Sequence, residues 1–183
     1  MPNIWIISDT HFQHENMLNF KSNGVRFRGD VFSSQRDCDE TMIQNWNSCV
    51  KPEDHVWHLG DVFMGSKEKF CNLWTRLNGK KKLIIGNHDD IRFLSGKNPL
   101  NDEWFFRKVE LWTRHKDMIF THVPMQLKNA WEGEKFKFNV HGHIHEKMPP
   151  TLRHFNACVE VNNWGPIHIE DLHANLKLRG SSI

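Results

Sequence analysis

An α/β fold, shading into α+β toward the C-terminus, is predicted for this 183-residue chain by three features of its sequence. Short apolar runs alternate with helix-period segments through the first half. Each of those runs stops at glycine or a polar residue, and the second half crowds strand-like runs together. Strand, helix and strand in alternation imply parallel strands joined by crossover helices, with functional groups gathered where the strands end.

"NIWIIS" is a short, β-branched apolar run that halts at Asp9, which suits a buried strand. Residues 37 to 50 place Met42, Ile43, Trp46 and Val50 at helical spacing, with acids in the first turn where the helix dipole favours them, and Pro52 closes that helix. "HVWHLGD" and "KKLIIGNHD" read as two further strands. Between them "SKEKFCNLWTRLNG" reads as a helix with a serine cap and Gly79 past its end. In the second half "FRKVELW", "DMIFTHV", "KFNVHGH", "ACVEVNN" and "PIHIEDL" are expected as strands, followed by a last helix over 170 to 178. No internal repeat or long linker separates the halves, so residues 1 to 183 are expected to form a single domain, large enough to bury a core without disulfide or metal staples.

Composition narrows the function classes. The formal charge is only +2, with acids and bases interspersed, so the broad basic field of a non-specific DNA binder is missing, although nucleic acid remains open as a substrate. Cys38, Cys49, Cys71 and Cys158 are far apart with no CxxC pair, which reads as reduced, mostly buried thiols rather than a zinc ribbon or a disulfide framework. "MPNIWIISDTH" lacks the basic start and apolar run of a signal peptide, and no apolar stretch nears the roughly 20 residues of a spanning helix; a soluble, cytoplasmic protein is expected. The oligomeric state is not legible.

Thirteen histidines direct the search for a site. Each expected strand end carries ligand-type residues: Asp9 and His11, then Asp61, then Asn87 and His88, then His122, then His143 and His145. Residues two apart in extended chain face the same way, so Asp9 with His11, and His143 with His145, can each serve one site. Gly60, Gly86 and Gly142 each precede a proposed ligand, where a missing side chain lets the backbone turn sharply and come close to an ion. Two carboxylates, one carboxamide and four imidazoles exceed the needs of one tetrahedral zinc and suit two ions sharing a carboxylate. Without a thiolate the set fits divalent transition metals, manganese, iron, zinc, nickel or cobalt, and does not choose among them.

The motifs "DTH", "GDV", "GNHD", "TH" and "GHIH", in this order, resemble the signature of calcineurin-like metallophosphoesterases, over residue 4 to about 170. Through "ISDTHFQHENML", "ETMIQNWNSCVKPEDHVWHLGD" and "LIIGNHD" the likeness is to the small bacterial and phage members; a phage-encoded copy would work in the host cytoplasm. The resemblance implies a four-layer αββα sandwich of two mixed β-sheets flanked by helices. It implies that Asp9, His11 and His145 hold one metal, Asp61 bridges, and Asn87, His122 and His143 complete the second, with His88 as the catalytic histidine at the substrate phosphate. His141 has no ligand role in the pattern. Met64 stands where many members carry an acid or asparagine, which implies altered surroundings for the site rather than its loss.

Two such ions outweigh the two carboxylates, so the site would attract a phosphate ester and acidify a bridging water to hydroxide, which attacks phosphorus while His88 stabilises or protonates the leaving oxygen. The expected activity is hydrolysis of a small phosphomonoester or phosphodiester, a nucleotide among them. A nuclease of the same chemistry is the alternative, and a non-catalytic scaffold of the same fold a further one.

Arg28, in "RFRGD", offers a bidentate donor to a substrate phosphate, against the commoner reading as a surface arginine. His14 could line the pocket. His55, His58, His115, His154, His168 and His173 read as surface or satisfied core residues, Trp46 and Trp74 as packing, and Lys80, Lys81 and Lys82 as a solvated strand entry.

Overall fold

The computed structural model describes residues 1–22, 24–127 and 136–180. Strand β1 covers Ile4–Ile7, and the short strands β2 (Lys21–Ser22) and β3 (Val25–Arg26) pair as a small hairpin that the sequence did not predict. Helix α1 runs over Gln35–Cys49, beginning two residues before the predicted start because Ser34 accepts from the Asp37 amide as its N-cap. Then follow β4 (His55–His58), α2 (Lys67–Trp74), β5 (Lys80–Ile84), α3 (Ile91–Leu94) and β6 (Lys108–Glu110). Ser66 caps α2 as expected, and Gly79 takes φ +85° in the turn beyond it.

The remainder holds β7 (Trp112–His115), β8 (Met118–Thr121), β9 (Phe138–His141), β10 (His154–Asn156), β11 (Ile167–His168) and α4 (Ile169–Gly180). The first sheet has the order β11-β1-β4-β5-β6, parallel except for the edge strand β11. The second has the order β10-β9-β8-β7, parallel except for the edge strand β7. Both sheets are therefore mixed.

Burial on both faces explains the unbroken apolar run of β1. Ile6 points into the layer between the sheets, with Leu59, Ile84, Phe120 and Val140, while Ile7 points the other way onto Met42 and Trp46 of α1 and Phe70 and Trp74 of α2. Trp46 and Trp74 are buried edge to face, 6.3 Å between ring centroids, as packing residues. Helix α4 covers the edge where β1, β10 and β11 lie.

Three expectations fail locally. "ACVEVNN" is not a strand: Cys158 makes one parallel bridge to Ser8, and Val159–Val161 then coils as a 3-10 turn. "FRKVELW" is split between sheets, β6 in the first and β7 in the second, with Leu111 alone between them. The lysines of β5 are not a solvated entry: Lys81 Nζ donates to the Leu77 and Gly79 carbonyls, and Lys82 Nζ pairs with Glu110 at 2.6 Å over the face of Trp57. The strand "HFN" of β10 was not foreseen either.

Candidate metal centre

Five loops leave the ends of β1, β4, β5, β8 and β9 on one side of the molecule and are stitched together by their backbones. The Asp9 amide donates to Gly60 O (3.0 Å), the His11 amide to Asp61 O (3.0 Å) and the Gly142 amide to His122 O (2.8 Å). The paired ligands do not reach the site by extended-strand alternation. Asp9, His11, Asp61, His143 and His145 all take positive φ, between 44° and 70°. Left-handed backbone at a non-glycine residue costs about 1 to 2 kcal/mol, so five such residues at one rim mark a place where function outweighs local comfort. A Cβ at Gly142 would run into Ser8 Oγ and Asp9 Oδ2, so only glycine lets this turn approach the carboxylate.

The side chains converge as two clusters. Ligand atoms of Asp9, His11 and His145 lie within 4.8 Å of one another, and so do those of Asp61, His122 and His143. Asp61 Oδ2 stands between them, 3.4 Å from His11 Nε2 and 3.6 Å from His122 Nε2. Asn87 joins the second cluster, its Oδ1 2.8 Å from His122 Nε2. Among the described residues, all seven sequence-predicted ligands thus meet at one rim. His88 lies beside them, exposed, its ring 5.6 Å from that of His11 and its amide donating to Asp61 Oδ1.

Each carboxylate divides its labour. Asp9 Oδ2 accepts from the His143 amide (2.9 Å), Ser8 Oγ and the Cys158 thiol (3.2 Å), while Oδ1 is buried without a hydrogen-bond partner. Burial and the neighbouring Asp9 push the Cys158 thiol well above its usual range, which keeps it a donor. Burial alone would raise Asp61, but the His11 and His122 rings beside it and the amide of His88 hold its carboxyl well below the usual range. Both ring nitrogens of His11 are also buried and unpartnered. Orphaned buried polar atoms of this kind are rare and costly, and a cation held by Asp9 Oδ1 and His11 Nε2 would take up their free lone pairs; the donor set fits two divalent ions.

Orientation comes from behind the ligands. Leu59 O can only accept, so His122 Nδ1 donates to it at 2.8 Å and turns Nε2 inward. His145 Nδ1 donates to Glu160 Oε1 at 3.1 Å and likewise presents Nε2 to Asp9. Burial pushes Glu160 up, but the Arg28 guanidinium and His145 outweigh it and hold its carboxyl at about 2.

Arg28 is neither a surface residue nor aimed at substrate. It is fully buried, with Nε and Nη2 both on Glu160 Oε1 (2.9 and 2.6 Å), Nη2 also on Asp9 O (2.6 Å) and Nη1 on Thr10 O (2.9 Å). It fastens the strained Asp9 turn to the acid that orients His145. Asp89 does similar work beneath Asp61, accepting from the amides of Asp61, Val62 and Gly86. Glu160 and Asp89 are functional residues that the sequence does not single out; the fourth residue of "GNHD" is a signal for Asp89, whereas Glu160 has none.

His14 borders the site, 5.5 Å ring to ring from His11, and burial together with the nearby imidazoles and the Arg28 guanidinium pushes it down to about 4. His141 is buried outside both clusters. His58 accepts from the Gly60 amide and meets Thr10 Oγ1, while His154 and His173 have partners in Met125 O and Asp117, so all three are satisfied interior histidines. Met64 is turned outward, 42% exposed.

Comparison with known proteins gives one result. A family model described as calcineurin-like phosphoesterase matches residues 2–147. An uncharacterized protein of Methanocaldococcus jannaschii is 29% identical, over 93% of this chain and 89% of its own length. The gene 66 protein of Mycobacterium phage L5 is 26% identical, over 93% of this chain and 92% of its own. The crystal structure of a protein of unknown function from Aquifex aeolicus superposes with a TM-score of 0.69 at 24% identity, covering 95% of this chain and 99% of the other, and shares its fold.

Proposed function

The chain belongs to the calcineurin-like phosphoesterase family, and from that premise we propose that residues 1 to 183 form one metallophosphoesterase domain that hydrolyses a phosphomonoester or phosphodiester at a pair of divalent ions. One observation carries the reading: Asp61 Oδ2 lies within 3.6 Å of a histidine from each cluster, the position of a shared ligand. Asp9, His11 and His145 would hold one ion and Asn87, His122 and His143 the other. Such a pair, when bound, supplies the surplus positive charge that draws in phosphate and a water acidic enough to attack phosphorus; manganese is proposed first among the ions that fit a set without thiolate.

The protein's own part is orientation and proton traffic. Asp9 offers Oδ1 because Oδ2 is occupied by three donors, and His122 and His145 offer Nε2 because Leu59 O and Glu160 occupy Nδ1. His88 stands exposed at the rim with its backbone fastened to Asp61. We assign it the substrate phosphate and the leaving oxygen, which its imidazole can stabilise or protonate.

The test is a phosphoester panel on metal-stripped protein with Mn, Ni, Zn and Mg restored one at a time, run on parent and His88→Ala. Bis-p-nitrophenyl phosphate, cyclic nucleotides and single-stranded DNA separate a small-ester hydrolase from a nuclease. His88→Ala should keep its metals and lose about 100-fold or more in turnover. Equal turnover in both proteins removes His88 from the mechanism, and a fully metal-loaded parent inert across the panel favours the scaffold reading.

A further inference from the structure

Beside the second cluster the two sheets part, and the cavity between them, about 620 Å3, is walled mainly by apolar side chains. Asn87 and His122, two of the proposed ligands, also line it, so it opens directly from the metal centre. Chain topology creates it. Glu110 pairs with Ile84 and its carbonyl takes the Ile85 amide, Leu111 crosses from the first sheet to the second, and Trp112 pairs with Thr121, the residue before His122.

The cavity rim gathers apolar residues that would ordinarily be inside. Leu111, Trp112, Val123 and Met125 all line it, and all remain exposed, Leu111 by 74% and Trp112 by 55%. Clustered apolar exposure of this kind marks a binding surface, and its continuity with the proposed metal ligands points to the substrate. Among the described residues its polar side chain besides the proposed ligands, Thr121, is already committed, its hydroxyl donating to Val123 O (2.7 Å) and accepting from Asn139 (2.9 Å). The walls therefore offer ring faces and methyl groups rather than hydrogen-bonding edges.

We propose that this cavity seats the organic group of the phosphoester and selects a flat unsaturated ring, aryl or nucleobase, that packs on Trp112 while the phosphate lies at the two clusters. The inference rests on the phosphoesterase reading. It adds a substrate class: aromatic esters over alkyl esters, with little discrimination among bases because, among the described residues, the lining side chains that could read their edges are the proposed ligands or the committed Thr121.

The experiment is calorimetric binding of non-hydrolysable phosphonates to the manganese-loaded chain. Parent protein should bind 1-naphthyl phosphonate about tenfold or more tighter than butyl phosphonate. The preference should collapse to within about threefold in Trp112→Ala and persist in Trp112→Phe, where a ring is kept. Adenine and thymine nucleoside phosphonates should bind within a few-fold of each other, and a preference of about tenfold between them overturns the unread edge. No ring preference in the parent, or a preference that survives in Trp112→Ala, overturns the ring seat itself. Because binding is read without turnover, a chain that prefers the ring yet hydrolyses nothing counts against the hydrolase reading and leaves the ring seat standing.

Discussion

Two acids a long way apart in sequence set the chemistry of the rim. Asp9 and Asp61 each give one oxygen to the protein and keep the other for the space between the clusters, and a carboxylate can do this only if its donors are fixed first. Glu160 extends the same logic to His145. Glu160→Gln removes the charge that holds His145 Nδ1 as a donor and leaves the buried Arg28 guanidinium without its counter-ion. The expected outcome is a weakening of one ion by about 10- to 100-fold with the other retained, as found for residues behind metal ligands. A loss of about 3 kcal/mol or more in stability should accompany it from the broken buried pair. Metal titration and chemical denaturation read the two effects, and an unchanged pair of metal affinities would remove Glu160 from the account. Ligand-type residues were legible because they stand at strand ends within short motifs. Arg28 and Glu160 were not, because their meeting spans 132 residues and each stands in a segment with another local reading.

Elements place these residues through their ends rather than their middles. Strand β1 was legible as an unbroken apolar run, because burial on both faces leaves no polar position to blur the signal, whereas β4 and β5 carry histidine and lysine and were legible from apolar runs that end in glycine. "ACVEVNN" carries apolar–polar alternation yet coils, because asparagine side chains take the backbone groups a strand would need. Asn156 Oδ1 accepts from the Cys158 amide, and Asn162 Nδ2 donates to the carbonyls of Asn156 and Cys158.

Helix α1 meets the ligand loop through Asp39, whose carboxylate accepts from the Gln13 amide and from Gln35. Burial pushes Asp39 up to about 6 against an unfolded value of 3.8, so the folded chain holds the proton longer. Its stability should therefore fall as pH rises from about 4 to about 6, and the ionised carboxylate weighs against folding above that window. Asp39→Asn keeps an acceptor for the Gln13 amide without the charge. It should be more stable than the parent by about 1 to 3 kcal/mol at pH 7 to 8, with the advantage gone below about pH 4. Denaturant melts across that range measure it, and an asparagine variant weaker than the parent at pH 8 contradicts the assignment.

At the scale of the molecule, two mixed sheets bring the ends of five strands to one side, and the loops there close over seven ligand-type side chains. The parallel first sheet and its helices could be read from alternating periodicity. The partition of the second half into a separate sheet could not, since it turns on the crossing at Leu111, where a single residue carries the chain from one sheet to the other. No helix of the described residues is long and apolar enough to cross a membrane. In the proposed centre Asp61 joins two ions. Manganese titration followed by electron paramagnetic resonance tests it most directly. Two ions per chain with an exchange-coupled spectrum that disappears in Asp61→Asn is the predicted result. A single bound ion, or two magnetically isolated ions indifferent to Asp61→Asn, would contradict it.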